Sequence, residues 1–238
     1  MPRKPRMYLE GTPCHVIQRG NNRNACLFSN QDYSFYLDCL GDACSRYSVS
    51  LHAYVLMTNH VHLLMTPSDA VGVSRVMQSL GRRYVQYINK EYRRSGTLWE
   101  GRHKACIVDA ENYLLTCMRY IELNPVRAGM VEHPVEYTWS SYRVNGQAED
   151  NSLINMHECY IRLGSNTEIR SQHCRRLFTN QLDGDDIHAI RNALEYSIPL
   201  GNERFVSQIE EALGQKVGYA RRGRPRVRDD AAEYLLWE

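Results

Sequence analysis

Apolar positions in the first half of the chain fall into short runs and longer periodic stretches. Four apolar-rich runs have the length of strands: residues 14–19, 49–57, 60–65 and 105–108. Between them, residues 29–47 and 73–90 place apolar side chains three or four positions apart, which predicts helices. Ser29 followed by Asp32 is typical of the start of a capped helix.

A third helical pattern follows the last of these strands. It covers residues 111–123 and ends at Asn124-Pro125, because the residue before a proline leaves the α region. The resulting order is β-α-β-β-α-β and then α. It predicts an α+β fold of the ferredoxin-like split βαβ type, with a central antiparallel sheet and its helices on one face.

The pattern of apolar and polar residues changes after about residue 140. Residues 144–152 are polar and typical of a linker, whereas 185–194 and 202–213 have helical spacing. Residues 216–230 are too charged and too rich in Gly and Pro to fold alone. We therefore expect three parts: a domain over 1–145, a linker and helical appendage over 146–215, and a basic tail over 216–238.

Composition narrows the class of protein. No stretch approaches the roughly 18 apolar residues of a membrane span. The basic start of the chain is not followed by an apolar segment of the kind found in secretory signals. We therefore expect a cytoplasmic protein that has no membrane partner.

The net charge of +2 hides an uneven distribution. Residues 1–145 carry 17 Lys and Arg against 12 Asp and Glu, while 146–238 carry 12 against 15. Within the second part, residues 216–228 contain six basic residues and no acidic one. Two basic regions on a nearly neutral chain favour a polyanionic partner, which would make the protein nucleoid-associated.

The eight cysteines are scattered, and no two form a C-x-x-C pair. Zinc ribbons and fingers need paired ligands at tight spacing. The cysteines are therefore interpreted as reduced, mostly buried thiols.

The sequence His60-Val61-His62 lies in the third predicted strand. Side chains alternate along a strand, so both imidazoles leave the same face and can chelate one divalent ion. A bare H-x-H is more often a chance pair on a polar face, and a metal-dependent hydrolase is another reading of it. The neighbouring residues must decide.

The third predicted helix supplies further candidates. Tyr120 and Asn124 are spaced i, i+4 and share a helix face, and an asparagine oxygen suits Mg²⁺ or Mn²⁺ as a third ligand. Tyr113 lies on the same face and competes with Tyr120 as a nucleophile. Its own i+4 partner is Cys117, a poor ligand for Mg²⁺, which favours Tyr120.

Several segments resemble those of the REP-associated tyrosine transposases and other single-tyrosine HUH transposases. The segments are HVIQRG (15–20), AYVLMTNHVHLL (53–64), LWEGR (98–102), RYIELNPVRAG (119–129) and WSSY (139–142). The resemblance covers roughly residues 6–144. It implies the HUH endonuclease fold, with His60, His62 and Asn124 holding Mg²⁺ or Mn²⁺ and Tyr120 as the nucleophile.

The resemblance also implies a reaction. Tyr120 would cleave and rejoin single-stranded DNA near hairpin-forming, REP-like sequences through a 5′-phosphotyrosine intermediate. The protein would act as a monomer or homodimer. The alternative is a domesticated, non-transposing DNA-binding or regulatory protein on the same fold.

Single-stranded DNA is held by cationic grooves with stacking aromatics. The candidate contacts are Arg3, Lys4 and Arg6 in the N-terminal arm, Arg19 and Arg23 after the first strand, and Arg82 and Arg83 on the second helix. For the two helix residues, a solvated helix face is an equally good interpretation. The resemblance implies that the arm reads a short guide sequence beside the hairpin.

The tail contains a separate motif. Arg222, Gly223, Arg224 and Pro225 match the core of an AT-hook, which lies in the narrow minor groove of A/T-rich duplex DNA. A basic tail that contacts phosphates without sequence preference explains the same residues.

Overall fold

A computed structural model describes residues 6–217, which contain a four-stranded sheet. Its strands are β1 (Cys14–Arg19), β2 (Val49–Met57), β3 (His60–Pro67) and β4 (Lys104–Ile107). They lie in the order β2-β3-β1-β4, and every neighbouring pair is antiparallel. This is the ferredoxin-like order, so the predicted fold class is confirmed.

Helices fill the chain between and after the strands. Within the described residues they are α1 (Asn30–Arg46), α2 (Gly72–Glu91), α3 (Ala110–Glu122), α4 (Asn124–Arg127), α5 (Tyr142–Gln147), α6 (Glu158–Ile161), α7 (Thr167–Phe178), α8 (Gly184–Tyr196) and α9 (Glu203–Leu213). Ser29 and Asp32 form the predicted capping box at the start of α1. None of these helices is long and apolar enough to cross a bilayer.

The two faces of the sheet are covered by different helices. α1 and α2 pack on the face that receives Val61, Leu63 and Met65. α3 packs on the opposite face, with Leu64 and Val55. The two helices of the β-α-β-β-α-β unit thus share one face, as predicted. The third helix, which follows that unit, lies on the other face because its apolar stripe meets the alternate strand positions.

α3 is fixed to the sheet through a buried polar network. The fully buried carboxylate of Glu122 accepts hydrogen bonds from Ser141 Oγ (2.5 Å) and Asn145 Nδ2 (2.7 Å). Residues 139–141 add to the edge of β2, where Ser141 N–H donates to the carbonyl of Tyr54 (3.0 Å). The WSSY motif thereby joins the edge of the sheet to the end of α3.

The segment interpreted as a linker, 144–152, begins inside α5. Val144 and Asn145 are buried, and Tyr160 Oη donates to the carbonyl of Asn145 (2.6 Å). The linker prediction is wrong at this end, because the polar groups of the segment bond to the protein interior rather than to water. α7 is a helix that the sequence pattern did not reveal, whereas α8 and α9 were predicted.

The appendage contributes to the same core as α3. Ile190, Ala193 and Leu194 of α8 are buried in it. After α8, Leu200 pairs with the end of β4: its N–H donates to the carbonyl of Ile107, and its carbonyl accepts from Asp109 N–H, both at 2.8 Å. α8 is therefore held against the sheet from two directions.

Candidate active site

His60 and His62 lie on β3, one of the two central strands of the sheet. Strand alternation directs both rings to the α3 face and Val61 to the opposite one. The ring centroids are 5.1 Å apart, and the ring planes are nearly perpendicular. The pair therefore has the common orientation that the sequence predicted.

Each ring has a hydrogen-bond partner at Nδ1. His60 Nδ1 lies 2.6 Å from Asn59 Oδ1, and the amide of Asn59 is oriented by its own bond from Nδ2 to the carbonyl of Arg23. His62 Nδ1 lies 2.8 Å from Nε2 of the fully buried His15. In both rings this leaves Nε2 as the nitrogen that can bind a ligand.

Both rings are in the form that binds metals. Burial lowers the pKa of His60 to about 4, and the charge of Arg19 adds to the effect. Burial also lowers the pKa of His62 well below its ordinary value, and the neighbouring His15 contributes. Both imidazoles are neutral at pH 7, as metal ligation requires.

α3 brings Tyr120 to the same place. Asp109 caps the helix by accepting hydrogen bonds from the backbone N–H groups of Glu111 and Asn112. The ring of Tyr120 is 5% exposed and meets the rings of His62 and His15 edge-on, each at 5.9 Å between centroids. The tyrosine thus lies directly beside the histidine pair.

Asn124 follows α3 at the rim of this cluster. Its Nδ2 donates to the carbonyls of Tyr120 (3.1 Å) and Ile121 (3.4 Å), which closes the end of α3. With the amide nitrogen used in this way, Oδ1 is the atom that remains to bind a ligand.

Arg127 covers the face of the Tyr120 ring. Its guanidinium carbon is 4.1 Å from the ring centroid, a cation–π contact. Its Nη1 is buried without a hydrogen-bond partner, and none of the ion pairs among residues 6–217 includes it. A positive charge thus lies against the tyrosine without a carboxylate to neutralise it.

These groups open into a cleft of about 1670 Å³. His60, His62, Tyr120 and Asn124 line one side. The described lining includes seven Lys or Arg and two Glu: Arg6, Arg19, Arg23, Arg102, Lys104, Arg191, Lys216, Glu100 and Glu195. An excess of cations around a tyrosine and two histidines suits a polyanionic substrate.

The family model for IS200-like transposases matches residues 9–124, a span that contains both histidines, Tyr120 and Asn124. By this match the segment is similar to the IS200-like transposases, and it spans just under half of the chain. A search of curated proteins found no match.

Two solved structures of transposases or candidate transposases are similar to this chain. A REP-associated tyrosine transposase bound to a REP hairpin aligns with a TM-score of 0.52 and 17% identity, over 66% of this chain and 99% of that one. A candidate transposase from Deinococcus radiodurans R1 aligns at 24% identity over 51% of this chain and 96% of that one, with a TM-score of 0.36. At 17% identity the likeness to the first structure establishes the fold alone.

The predicted DNA contacts separate into three groups. Arg6, Arg19 and Arg23 line the cleft. Arg82 and Arg83 lie on α2, on the opposite face of the sheet, where Arg83 pairs with Asp42 at 2.9 Å. Arg3, Lys4 and the AT-hook residues Arg222, Gly223, Arg224 and Pro225 lie outside the described residues.

The arrangement also distinguishes the two tyrosines. Tyr113 is partly buried against the apolar core on this face and is not among the residues that line the cleft. Tyr120 lines the cleft beside His62. The geometry therefore favours the tyrosine that the spacing of Asn124 also favoured.

Sequence reasoning missed His15, Arg127 and the cleft-lining residues of α8. His15 lies on β1, diagonally across the sheet from His62, and its place in the HVIQRG motif was a usable signal. Arg127 stands seven residues after Tyr120, two helical turns in an unbroken helix, which was a second signal. Nothing in the sequence pattern indicated that α8 faces the cleft.

The donor set fits a divalent ion. Residues 6–217 contain no cluster of three His, Cys, Asp or Glu of the kind that holds a metal. The candidate set is instead two neutral imidazoles with free Nε2 atoms and one amide oxygen. The amide oxygen suits Mg²⁺ or Mn²⁺, and the imidazoles are ligands of first-row divalent metals.

Proposed function

We propose that the protein is a metal-dependent, single-tyrosine transposase or endonuclease. It cleaves and rejoins single-stranded DNA near hairpin-forming, REP-like sequences through a 5′-phosphotyrosine intermediate. The observation that carries the proposal is the position of Tyr120, edge-on to His62 in a cationic cleft. The match of residues 9–124 to the IS200-like transposases supports DNA strand transfer as the reaction class.

His60, His62 and Asn124 would hold Mg²⁺ or Mn²⁺ through two imidazole nitrogens and the amide oxygen. When bound, the ion supplies charge stabilisation at a phosphate oxygen during displacement. Asn59 and His15 hold the two rings from behind, so the ligands need little rearrangement to bind.

Tyr120 acts as the nucleophile. Its Oη forms a bond to phosphorus while the bond from phosphorus to the 3′ oxygen breaks. The phenolic proton passes to solvent, and the departing 3′ oxygen takes up a proton to become a hydroxyl. The phosphotyrosine ester conserves the energy of the phosphodiester, so rejoining to another 3′-hydroxyl needs no nucleotide triphosphate.

Arg127 assists the tyrosine in both directions. Its guanidinium over the ring stabilises negative charge on the phenolic group, which develops as proton loss precedes attack and returns when Tyr120 leaves during rejoining. No carboxylate among the described residues competes for this charge. The tyrosine is thereby suited to both attack and departure.

The likeness in fold to a transposase bound to a REP hairpin supports a hairpin-bearing DNA partner for this chain. Arg6, Arg19 and Arg23 would contact the strand at the cleft. Contact of the AT-hook motif at residues 222–225 with A/T-rich duplex DNA is a separate proposal. A chain truncated after residue 217 should lose its preference for A/T-rich duplex DNA, and an unchanged preference would contradict the proposal.

The test is a cleavage assay with hairpin oligonucleotides taken from the flanks of the gene. Wild-type protein with Mg²⁺ or Mn²⁺ should form an SDS-resistant protein–DNA adduct. Tyr120→Phe should abolish the adduct and leave hairpin binding within about twofold, while Tyr113→Phe serves as the matched control and keeps the adduct.

Other outcomes identify other functions. Hairpin binding without an adduct under any metal condition would support the domesticated DNA-binding protein. Strand cleavage without an adduct would support a hydrolase. An adduct that survives Tyr120→Phe would overturn the assignment of the nucleophile.

A further inference from the structure

The cleft has two walls, and only one of them comes from the segment that matches the transposase family. The first wall is formed by β1, β3 and Tyr120, within residues 9–124. The second wall includes α8, which contributes His188, Arg191 and Asn192 to the lining. α8 lies well beyond the matched segment, in the appendage.

α8 is a fixed wall. Its inner side, with Ile190, Ala193 and Leu194, is buried in the core that α3 shares. The chain that leaves it is tied to the end of β4 by the two backbone hydrogen bonds of Leu200. The outer side of α8 is therefore held at a defined position across the cleft from the histidines.

Arg191 is the residue on this wall that is available for a ligand. His188 and Asn192 are hydrogen-bonded to each other, with 2.8 Å between His188 Nε2 and Asn192 Nδ2. Arg191 is exposed, and the ion pairs of residues 6–217 do not include it. Its guanidinium thus remains free to bind an anion in the cleft.

Arg191 lines the same cleft as Tyr120, and its charge is felt by Arg127. Burial, and in addition the charge of Arg191, lowers the pKa of Arg127, against the opposing influence of Tyr120. Two arginines, from α4 and α8, therefore act on each other near the tyrosine without an acidic partner for either among the described ion pairs. Such convergence costs electrostatic energy unless an anion lies between the charges.

The size of the cleft favours a polymer over a small anion. Its volume of about 1670 Å³ exceeds the roughly 300–1,000 Å³ of small-molecule sites. Several cations also line it, among them Arg6, Arg19, Arg191 and Lys216. A chain with one charge per nucleotide matches this spread of cations better than a single phosphate does.

We propose that α8 binds the single-stranded DNA segment next to the scissile phosphate, with Arg191 on a backbone phosphate. The proposal rests on the proposed function and adds that a helix outside the family segment forms part of the DNA site. The appendage would then act in substrate binding as well as in folding.

The experiment measures DNA affinity of the full chain without divalent metal, as a function of salt. The probes are a blunt hairpin and the same hairpin with ten thymidines added at its 5′ or its 3′ end. The variants are Arg191→Ala and the control Arg204→Ala, an exposed arginine of α9 that does not line the cleft. Thermal unfolding verifies that both variants fold like the wild type.

Loss of one phosphate contact on a single strand should lower the slope of log K against log salt by about 0.7, which is about fivefold in affinity at 0.1 M salt. Arg191→Ala should show this change with at least one extended probe and not with the blunt hairpin. Arg204→Ala should leave the slope unchanged on all three probes.

An unchanged slope for Arg191→Ala on both extended probes would overturn the proposal. An equal loss on the blunt hairpin would also overturn it, because α8 would then hold duplex DNA. Both results are distinguishable from failure of the proposed function, in which the wild type forms no adduct that depends on Tyr120.

Discussion

The two faces of the sheet are built from the same four strands and differ in what they bury. The α1–α2 face is filled by apolar and aromatic side chains, including Tyr36 and Tyr84, which pack edge-to-face. The opposite face buries His15, His62 and Glu122 together with Tyr120. The packing on one face stabilises the sheet, and the stable sheet holds the polar groups of the other face in fixed positions.

The difference arises at the level of single residues. Val61 and His62 are neighbours on β3, and both are almost completely buried, yet strand alternation assigns them to opposite faces. Adjacent substitutions should therefore separate stability from activity, which makes the comparison testable.

The largest expected effect is the loss of activity in His62→Ala. Removing one of the two proposed imidazole ligands should lower the rate of adduct formation at least about 10³-fold, because in the proposed mechanism the ligands and the nucleophile act as one unit. Val61→Ala is the matched variant on the other face. It should lower the free energy of unfolding by about 1–3 kcal/mol through a cavity and leave the rate nearly unchanged.

Rates of adduct formation and urea unfolding curves of the two variants give this test. The comparison between the faces fails if Val61→Ala loses activity to the same extent as His62→Ala while both remain folded.

The second effect concerns the buried carboxylate on the site face. Burial raises the pKa of Glu122 from 4.5 to about 7, against the lowering effect of its bonds from Ser141 and Asn145. The folded state therefore favours the protonated form. Its contribution to stability is complete below pH 4.5 and is lost as the pH rises through about 7.

Glu122→Gln should remove this dependence. The decline in unfolding free energy between pH 5 and pH 8 should become shallower by up to about 3 kcal/mol, measured by urea denaturation. Glu149→Gln, on the surface, is the control and should keep the wild-type slope. Equal slopes in Glu122→Gln and the wild type would show that the carboxyl titrates normally.

The third prediction tests whether His15 positions the His62 ring or only fills space beside it. His15→Leu keeps the volume and removes the partner of His62 Nδ1, so Mn²⁺ affinity should fall about 10- to 100-fold. Adduct formation should recover at high Mn²⁺, which a purely structural defect would not permit.

Cys106→Ala is the control for His15→Leu, since Cys106 is buried on the same face and pairs with His15 across β1 and β4. Mn²⁺ binding, followed by electron paramagnetic resonance of the free ion, reports the difference. Similar affinities in the two variants would refute a positioning role.

The smallest effect concerns the arginines of the two faces. Arg19→Ala should weaken binding of a hairpin probe about five- to tenfold, because Arg19 lines the cleft. Arg83→Ala, on the α2 face, should change binding less than twofold and stability by no more than about 1 kcal/mol, since its pair with Asp42 is exposed. A larger loss of hairpin binding in Arg83→Ala would show that α2 is part of the DNA interface.

The sequence predicted what local periodicity determines. The bounds of β1 and β2, the capping box of α1 and the common face of His60 and His62 all follow from alternation and end signals within a few residues. These features depend on the neighbours of each residue in the chain.

The remaining features depend on residues that are distant in sequence. The bond between His15 and His62 joins strands 47 residues apart, and the placement of α8 depends on Leu200 pairing with Ile107. α7 escaped prediction because only Ser171 and Cys174 are buried in it, so it has little apolar periodicity. Tertiary pairing of this kind leaves no periodic signal.

The pairing of Leu200 with the end of β4 also has a consequence for synthesis on the ribosome. The four strands and Tyr120 all emerge before residue 125, but Leu200, which ties α8 to the end of β4, emerges many residues later. A nascent chain can therefore form its sheet early and gain the α8 side of the cleft only after residue 200 has emerged. Few shorter growing chains would then be able to bind, through the proposed DNA cleft, the single-stranded DNA that transcription exposes nearby.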